Sequence, residues 1–290
     1  MVRLALLPFL LLIWALAAVA DESPASGDLR QRLADKLKTK TEPTRLVNPV
    51  DAARAARAAK PPAKPVVPWG YTGEGAPERW GELVPENKLC AVGTRQSPID
   101  LRDTLKVDLE PIQFDYRPQP FTVQDTGRTV LVTPDTGSGL TVRQRRYELR
   151  AIETRMPAEM LLGGRRMDAA LHLVHRDAEG RIAMLALFLV KGEEAQPALQ
   201  RMLNHLPLEK HLTEAVPTPL NLAELLPENR GYFTFMGSLT TPPCTEGVLW
   251  LVMREPLTVS EQQLAVLRRL YPMNARPVQP AGGRIVKESF

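Results

Sequence analysis

The sequence predicts one mostly antiparallel β-domain with peripheral short helices, and three observations carry that reading. Short β-rich runs recur from residue 68 onward, Gly, Pro and Asp turns separate them, and only two segments carry a helical pattern. The runs are Phe121-Thr122-Val123, Thr129-Val130-Leu131-Val132, Leu140-Thr141-Val142, Leu171-His172-Leu173-Val174-His175, residues 182–190 and residues 248–253. Asp177-Ala178-Glu179-Gly180 follows the fourth run as a turn. The helical segments are residues 193–204 and 260–270, and Ser260-Glu261-Gln262-Gln263 opens the second as a capping box, Ser at N-cap and Gln at N3. With 44% hydrophobic and 24% charged residues, the 290-residue chain has the composition for a substantial core. No internal repeat is visible.

Residues 1–20 read as a signal peptide. Arg3 supplies the positive n-region, Leu4 to Ala17 the apolar h-region, and Ala18-Val19-Ala20 an A-x-A cleavage site before Asp21. A membrane anchor is the competing reading, but the apolar run is shorter than the ~20 residues a span needs. No other segment is apolar enough to cross a bilayer. The protein is therefore expected to be periplasmic or secreted, with no transmembrane segment after signal removal. Residues 21–67 read as a basic, Pro/Ala-rich, partly helical linker or docking arm. Leu29, Leu33 and Leu37 form one short apolar stripe, residues 52–60 (AARAARAAK) a second helical stretch, and prolines 43, 49, 61, 62 and 65 break the rest. Such an arm suits an unknown protein, a cell-wall polymer or an anionic membrane surface as partner, or it is a solvated spacer. Nucleic acid is excluded, because an exported chain without aromatic-basic interleaving lacks the means to bind it. The net charge of +4 bears on surface partners rather than on fold. The domain itself spans residues 68–290.

Only two cysteines are present, Cys90 and Cys244. In an oxidising compartment a lone pair reads best as one disulfide, contributing roughly 4–5 kcal/mol in the chain-entropy account, with two buried free thiols as the alternative.

Several stretches resemble the α-carbonic anhydrases. Trp69-Gly70-Tyr71 with Pro77-Glu78-Arg79-Trp80-Gly81-Glu82-Leu83 is similar to the family's N-terminal signature, and Gln96-Ser97-Pro98-Ile99-Asp100-Leu101 to its QSPID motif. Leu171-His172-Leu173-Val174-His175 resembles the LHLVH strand, residues 238–247 the SLTTPPCTEG loop, and residues 274–280 the C-terminal NARPVQP. The matches stand in the family's order and cover residues 69–286. The resemblance implies a large, twisted, mainly antiparallel sheet of about ten strands with a conical site on one face. It also supports the Cys90–Cys244 pairing, since bacterial members commonly link these two places.

Family members hydrate carbon dioxide with a hydroxide held on zinc. Three protein ligands and one open position lower the pKa of bound water to near neutrality, a property for which carbonic anhydrase is itself the reference case. Two imidazoles come from a strand reading H-x-H-x-P-S-E-H and the third from the LHLVH strand. Here the first strand reads Glu153-Thr154-Arg155-Met156-Pro157-Ala158-Glu159-Met160, with Pro157 and Glu159 fixing the register. Glu153 and Arg155 therefore take two ligand positions, on one face because side chains alternate, and His172 retains the third. A guanidinium has no lone pair for a metal. At ~4 Å and an effective dielectric of ~20 it repels each unit of like charge by about 4 kcal/mol, and a divalent ion by roughly twice that. No histidine precedes His172 in the sequence.

Neighbouring positions agree. Ala170 stands where the family has a carboxylate orienting a histidine, Met160 where it has a histidine, Ala151 where it has a glutamine, and Arg128 where many members have a proton-shuttle histidine. His205 and His211 have no ligand-like spacing. Thr240 and Glu159 match the pair that orients the zinc-bound hydroxide, and Tyr71 a nearby polar residue. Val174, Leu239, Val248 and Trp250 match the apolar wall of the substrate pocket, where Met184 replaces a smaller valine. All of these also serve packing. His175 reads as a structural histidine, about 7 Å along the strand on the face of His172. Glu153 and Arg155 read as an ion pair in the former metal cavity, with a small-anion site on Arg155 near Thr240, or a rearranged metal site of His172, Glu159 and Glu153, as alternatives. The expectation is thus an exported carbonic anhydrase-like protein with a degenerate zinc site and no metal cofactor, acting as a non-catalytic binding module. The alternative is a zinc-dependent enzyme interconverting carbon dioxide and bicarbonate. A hydrolytic use of the cavity lacks a nucleophile–base pair.

Overall fold

The long apolar run Ile182–Gly192 lies inside the sheet, because a strand covered on both faces reads as a continuous hydrophobic stretch. The computed structural model describes residues 67–290, so the signal peptide of residues 1–20 and all but the last residue of the arm fall outside the described residues. A sheet of 13 strands forms around that run. Its main path runs Thr213–Leu220, Gln119–Asp125, Val130–Pro134, Arg145–Arg155, Ala169–Arg176, Ile182–Gly192, Glu246–Met253, Tyr232–Ser238, Lys287–Ser289 and Leu105–Val107. The main expectation holds, a mainly β fold with few short helices, in a sheet larger than foreseen. It is also mixed: Ile182–Gly192 pairs in parallel with both Glu246–Met253 and Leu257–Ser260. The long connection between the first two makes a parallel crossover possible.

Both helices appear. The second runs Glu261–Leu270 behind the expected capping box of Ser260 and Gln263. The first starts at Pro197 rather than residue 193, because the Gln196 side chain caps it by accepting from the Leu199 amide at 2.7 Å and Pro197 fits its first turn. The strand Thr213–Leu220 escaped the sequence reading because Pro217 and Pro219 argue against a strand. Among the described residues it lies at the sheet edge, paired only with Gln119–Asp125, where a missing N–H is tolerated. Among the described residues no helix is long and apolar enough to cross a membrane.

Alternation divides the core. Leu171, Leu173, Leu185, Leu187 and Leu251 point to one face and pack with Leu199, Met202, Leu264 and Leu267 of the helices. Ala170, Met184, Ala186, Phe188, Val248 and Trp250 point to the other. His175 belongs to the first face and not to that of His172, which corrects the sequence reading: they stand three positions apart, an odd offset, so alternation sets them opposite. Its Nε2 bonds the Tyr116 hydroxyl at 2.9 Å and its Nδ1 the Leu173 carbonyl at 2.9 Å, as befits a structural histidine. A bulge is the other local departure. Val174 pairs with Ala151 and His175 with Leu149, so Arg150 is left over. That extra residue lets both Leu149 and Ile152 enter the first core while Glu153 and Arg155 turn to the opposite face.

The ends of the domain are tied to that face. Cys90 and Cys244 form a disulfide. Arg276, 2% exposed, donates through Nη1 to the Gln96 side chain at 2.9 Å and the Ser97 carbonyl at 2.8 Å, and through Nη2 to the Cys90 carbonyl at 3.0 Å. Ser97 and Ser238 exchange amide-to-hydroxyl bonds of 2.9 and 3.1 Å, and a Cβ on Gly237 would lie 2.2 Å from the Ser97 hydroxyl, which is why glycine stands there. Replacing both cysteines by alanine is expected to lower the unfolding free energy by about 2–4 kcal/mol, read from denaturant curves without reductant.

Candidate functional site

The face that carries Glu153, Arg155 and His172 opens into a pocket of about 190 Å³. Strand pairing sets His172 opposite Glu153 and Ala170 opposite Arg155, so the three ligand positions named by the sequence come together. Arg155 is the centre of the group, with a side chain only 3% exposed. Its Nη2 donates to Glu153, its Nη1 to the Thr154 carbonyl at 3.1 Å and more loosely to the Thr129 hydroxyl at 3.4 Å. Its Nε lies 3.4 Å from Glu159 Oε2. On the other side of that oxygen, at 3.6 Å, stands Nδ1 of His172. Among the described residues, Arg155 Nε, Glu159 Oε2 and His172 Nδ1 are buried without a hydrogen-bond partner of good geometry, so three polar atoms converge on one another.

The electrostatics follow from that burial. Burial opposes the Arg155 charge, yet the Glu153 and Glu159 carboxyls around it hold the guanidinium above its ordinary pKa. Burial pushes the Glu159 carboxyl up, with Arg155, the Arg276 amide and the Thr240 hydroxyl pulling the other way. The Arg276 amide bonds Glu159 Oε1 at 2.8 Å. Burial first, and Arg155 second, hold His172 well below its ordinary value, so it is a neutral imidazole. Its ring meets the edge of Trp250 at 5.2 Å. Burial raises Tyr71 as well, whose phenol stays protonated.

Met184, Val248 and Trp250 form one apolar cluster, with Val174 and Leu239 packed against it. Met160, at 1% exposure, belongs to the same cluster. His205 pairs with Glu214 at 2.8 Å, away from the pocket. The rearranged metal set is not assembled: among the described residues no three His, Cys, Asp or Glu side chains gather to hold a metal ion. Arg155 faces carboxylates, so it is not the free anion holder considered from sequence. Sequence reasoning gave no role to Thr129, Leu131, Trp69 or Thr241, which line the pocket. Of these Trp69 and Thr241 carried a signal, as parts of the N-terminal motif and of the loop of residues 238–247.

Known proteins place this arrangement. A family model described as eukaryotic-type carbonic anhydrase matches residues 75–290. A carbonic anhydrase of Pectobacterium carotovorum is 34% identical over 221 residues, 76% of this chain and 90% of that protein. The α-carbonic anhydrase of Thermovibrio ammonificans, solved with the inhibitor sulfanilamide, superposes with a TM-score of 0.74 at 36% identity, covering 76% of this chain and 98% of that one. Dioscorin, solved in complex with ascorbate, gives a TM-score of 0.71 at 30% identity, covering 77% and 98%.

Two outcomes test the electrostatics. Glu153 is 26% exposed, so Glu153→Leu alone is expected to destabilise by about 3 kcal/mol, the low end for stranding one partner of a buried pair. Adding Arg155→Met recovers most of that loss, and a double-mutant cycle on denaturation measures the coupling. Burial lowers His175 to about 4 against 6.5 unperturbed, and His172 is lowered in the same sense. The unfolded chain then binds more protons than the folded one in this window. Stability is full above pH 6.5 and is lost as pH falls toward 4, partly offset by Glu159, whose raised pKa works in the opposite sense. His175→Gln is expected to flatten that slope in unfolding measured against pH.

Proposed function

The chain belongs to the α-carbonic anhydrase family, and within it we propose that this protein is an exported, non-catalytic binding module that keeps the fold without zinc chemistry. The observation that carries the reading is the buried guanidinium of Arg155, bonded to Glu153 and set against Glu159 in the ligand positions. Zinc does not fit this donor set. Arg155 offers no lone pair and brings a positive charge, Glu153 is engaged by that charge, and His172 is the one imidazole left. Ala170 gives no carboxylate to orient His172. The pocket is then a place to bind. The ascorbate complex of dioscorin supports such a use of the fold for a small organic anion. The arm of residues 21–67 would hold a protein, cell-wall or anionic membrane partner.

A second reading is zinc-dependent interconversion of carbon dioxide and bicarbonate. It is favoured by the names of the relatives and by the survival of Glu159, Thr240, Tyr71 and the apolar wall of Val174, Met184, Leu239, Val248 and Trp250. The comparisons speak for this reading and the donor set for the first.

The test is zinc content after dialysis against excess zinc, with carbon dioxide hydration assayed on the same sample. The native protein is expected to retain no stoichiometric zinc and to hydrate at the buffer background, whereas Glu153→His with Arg155→His gains one zinc per chain. One zinc per native chain, with activity lost in His172→Ala, overturns the proposal and makes the protein an enzyme.

A further inference from the structure

The pocket holds a second arginine whose charge is not neutralised. Arg128 lies at the Thr126–Thr129 turn, where Thr126 accepts from the amides of Arg128 and Thr129 at 3.3 and 3.0 Å and donates to the Thr129 carbonyl at 2.9 Å. Its own carbonyl accepts from Asn274 at 3.0 Å. Its Nε donates to the Trp69 carbonyl at 2.9 Å, and its guanidinium carbon lies 4.3 Å over the Trp69 ring. The group is therefore fixed at backbone, Nε and ring face, while among the described residues no carboxylate stands within ion-pair distance of it and its terminal nitrogens have no hydrogen-bond partner. Beside it the pocket wall is apolar or aromatic, with Leu131, Trp69 and Tyr71. Glu153 lines the floor and is bonded to Arg155, so the lining keeps one positive charge in excess.

We infer that this pocket binds small organic monocarboxylates with a flat apolar body, anchored on the terminal nitrogens of Arg128. The inference rests on the binding-module reading and names the ligand class for it. A planar fork held in place matches a carboxylate in two parallel N–H···O bonds, and little side-chain freedom remains to be lost on binding. The apolar wall takes the body of the ligand and favours benzoate over acetate. The Glu153 carboxylate repels a second negative charge and so selects against phosphate and sulfate. Arg155 takes no direct part, because its nitrogens already face Glu153, Thr154 and Glu159.

The test is calorimetric titration of the full chain with benzoate, acetate and inorganic phosphate. Benzoate is expected to bind at one site, more tightly than acetate or phosphate. Arg128→Gln, verified as folded by its melting curve, should weaken benzoate about tenfold or more, the loss of a charge-assisted hydrogen bond. Arg143→Gln, at a different pocket, should leave it unchanged. Absent benzoate binding, or binding unaffected by Arg128→Gln, overturns the inference. The zinc and hydration assay is separate: an active zinc enzyme removes the binding-module reading whatever benzoate does, and a metal-free, inactive protein that ignores benzoate removes only the ligand class.

Discussion

A guanidinium enclosed in a sheet dictates what surrounds it. Arg155 is 3% exposed, and a charge so placed persists only where opposite charge and acceptors satisfy it. The local sequence supplies them at two removes. Glu153 lies two residues back on the same face, and Glu159 four residues on, beyond Pro157. The longer-range structure then has to hold Glu159 in place, and the Arg276 amide does so through the carboxylate's other oxygen. A metal centre takes its charge from solution and gives it up to a chelator. This one is built into the side chains, so its charge arrives with the chain itself.

Much of this was legible in the sequence because strand alternation and motif register are local. Pro157 and Glu159 were enough to align Glu153 and Arg155 with His172, and the structure sets them on one face. The bulge at Arg150 was not legible: it depends on how two strands pair, and nothing in Tyr147 to Ile152 announces an unpaired residue. The edge strand Thr213–Leu220 was hidden by its prolines, whose tolerance there depends on having a neighbour on one side only. His175 stands on the face opposite His172, as an odd offset along a strand requires. The seat of Arg128 on Trp69 joins residues 59 apart, beyond the reach of any pattern read along the chain.

The C-terminal segment supplies the remaining rigidity. Asn274 accepts from the Met156 amide at 2.7 Å and donates to the carbonyls of Arg128 and Thr154 at 3.0 Å each. One side chain thereby joins the strand of Arg155 to the turn of Arg128. Two residues on, Arg276 joins Glu159 to the segment of Cys90, Gln96 and Ser97. Polar side chains that close such networks completely are stable when buried and leave little freedom to the groups they hold.

The Cys90–Cys244 bond joins positions 154 apart and closes the chain between them into a ring. Thr129, Glu153, Arg155, Glu159 and His172 all lie within it, as do Thr240 and Thr241. A single peptide-bond break by a protease in any loop of that ring leaves one covalent molecule, with both walls of the pocket still joined. Nicked chains would migrate as intact ones on a denaturing gel until a thiol is added, and only then separate into two pieces.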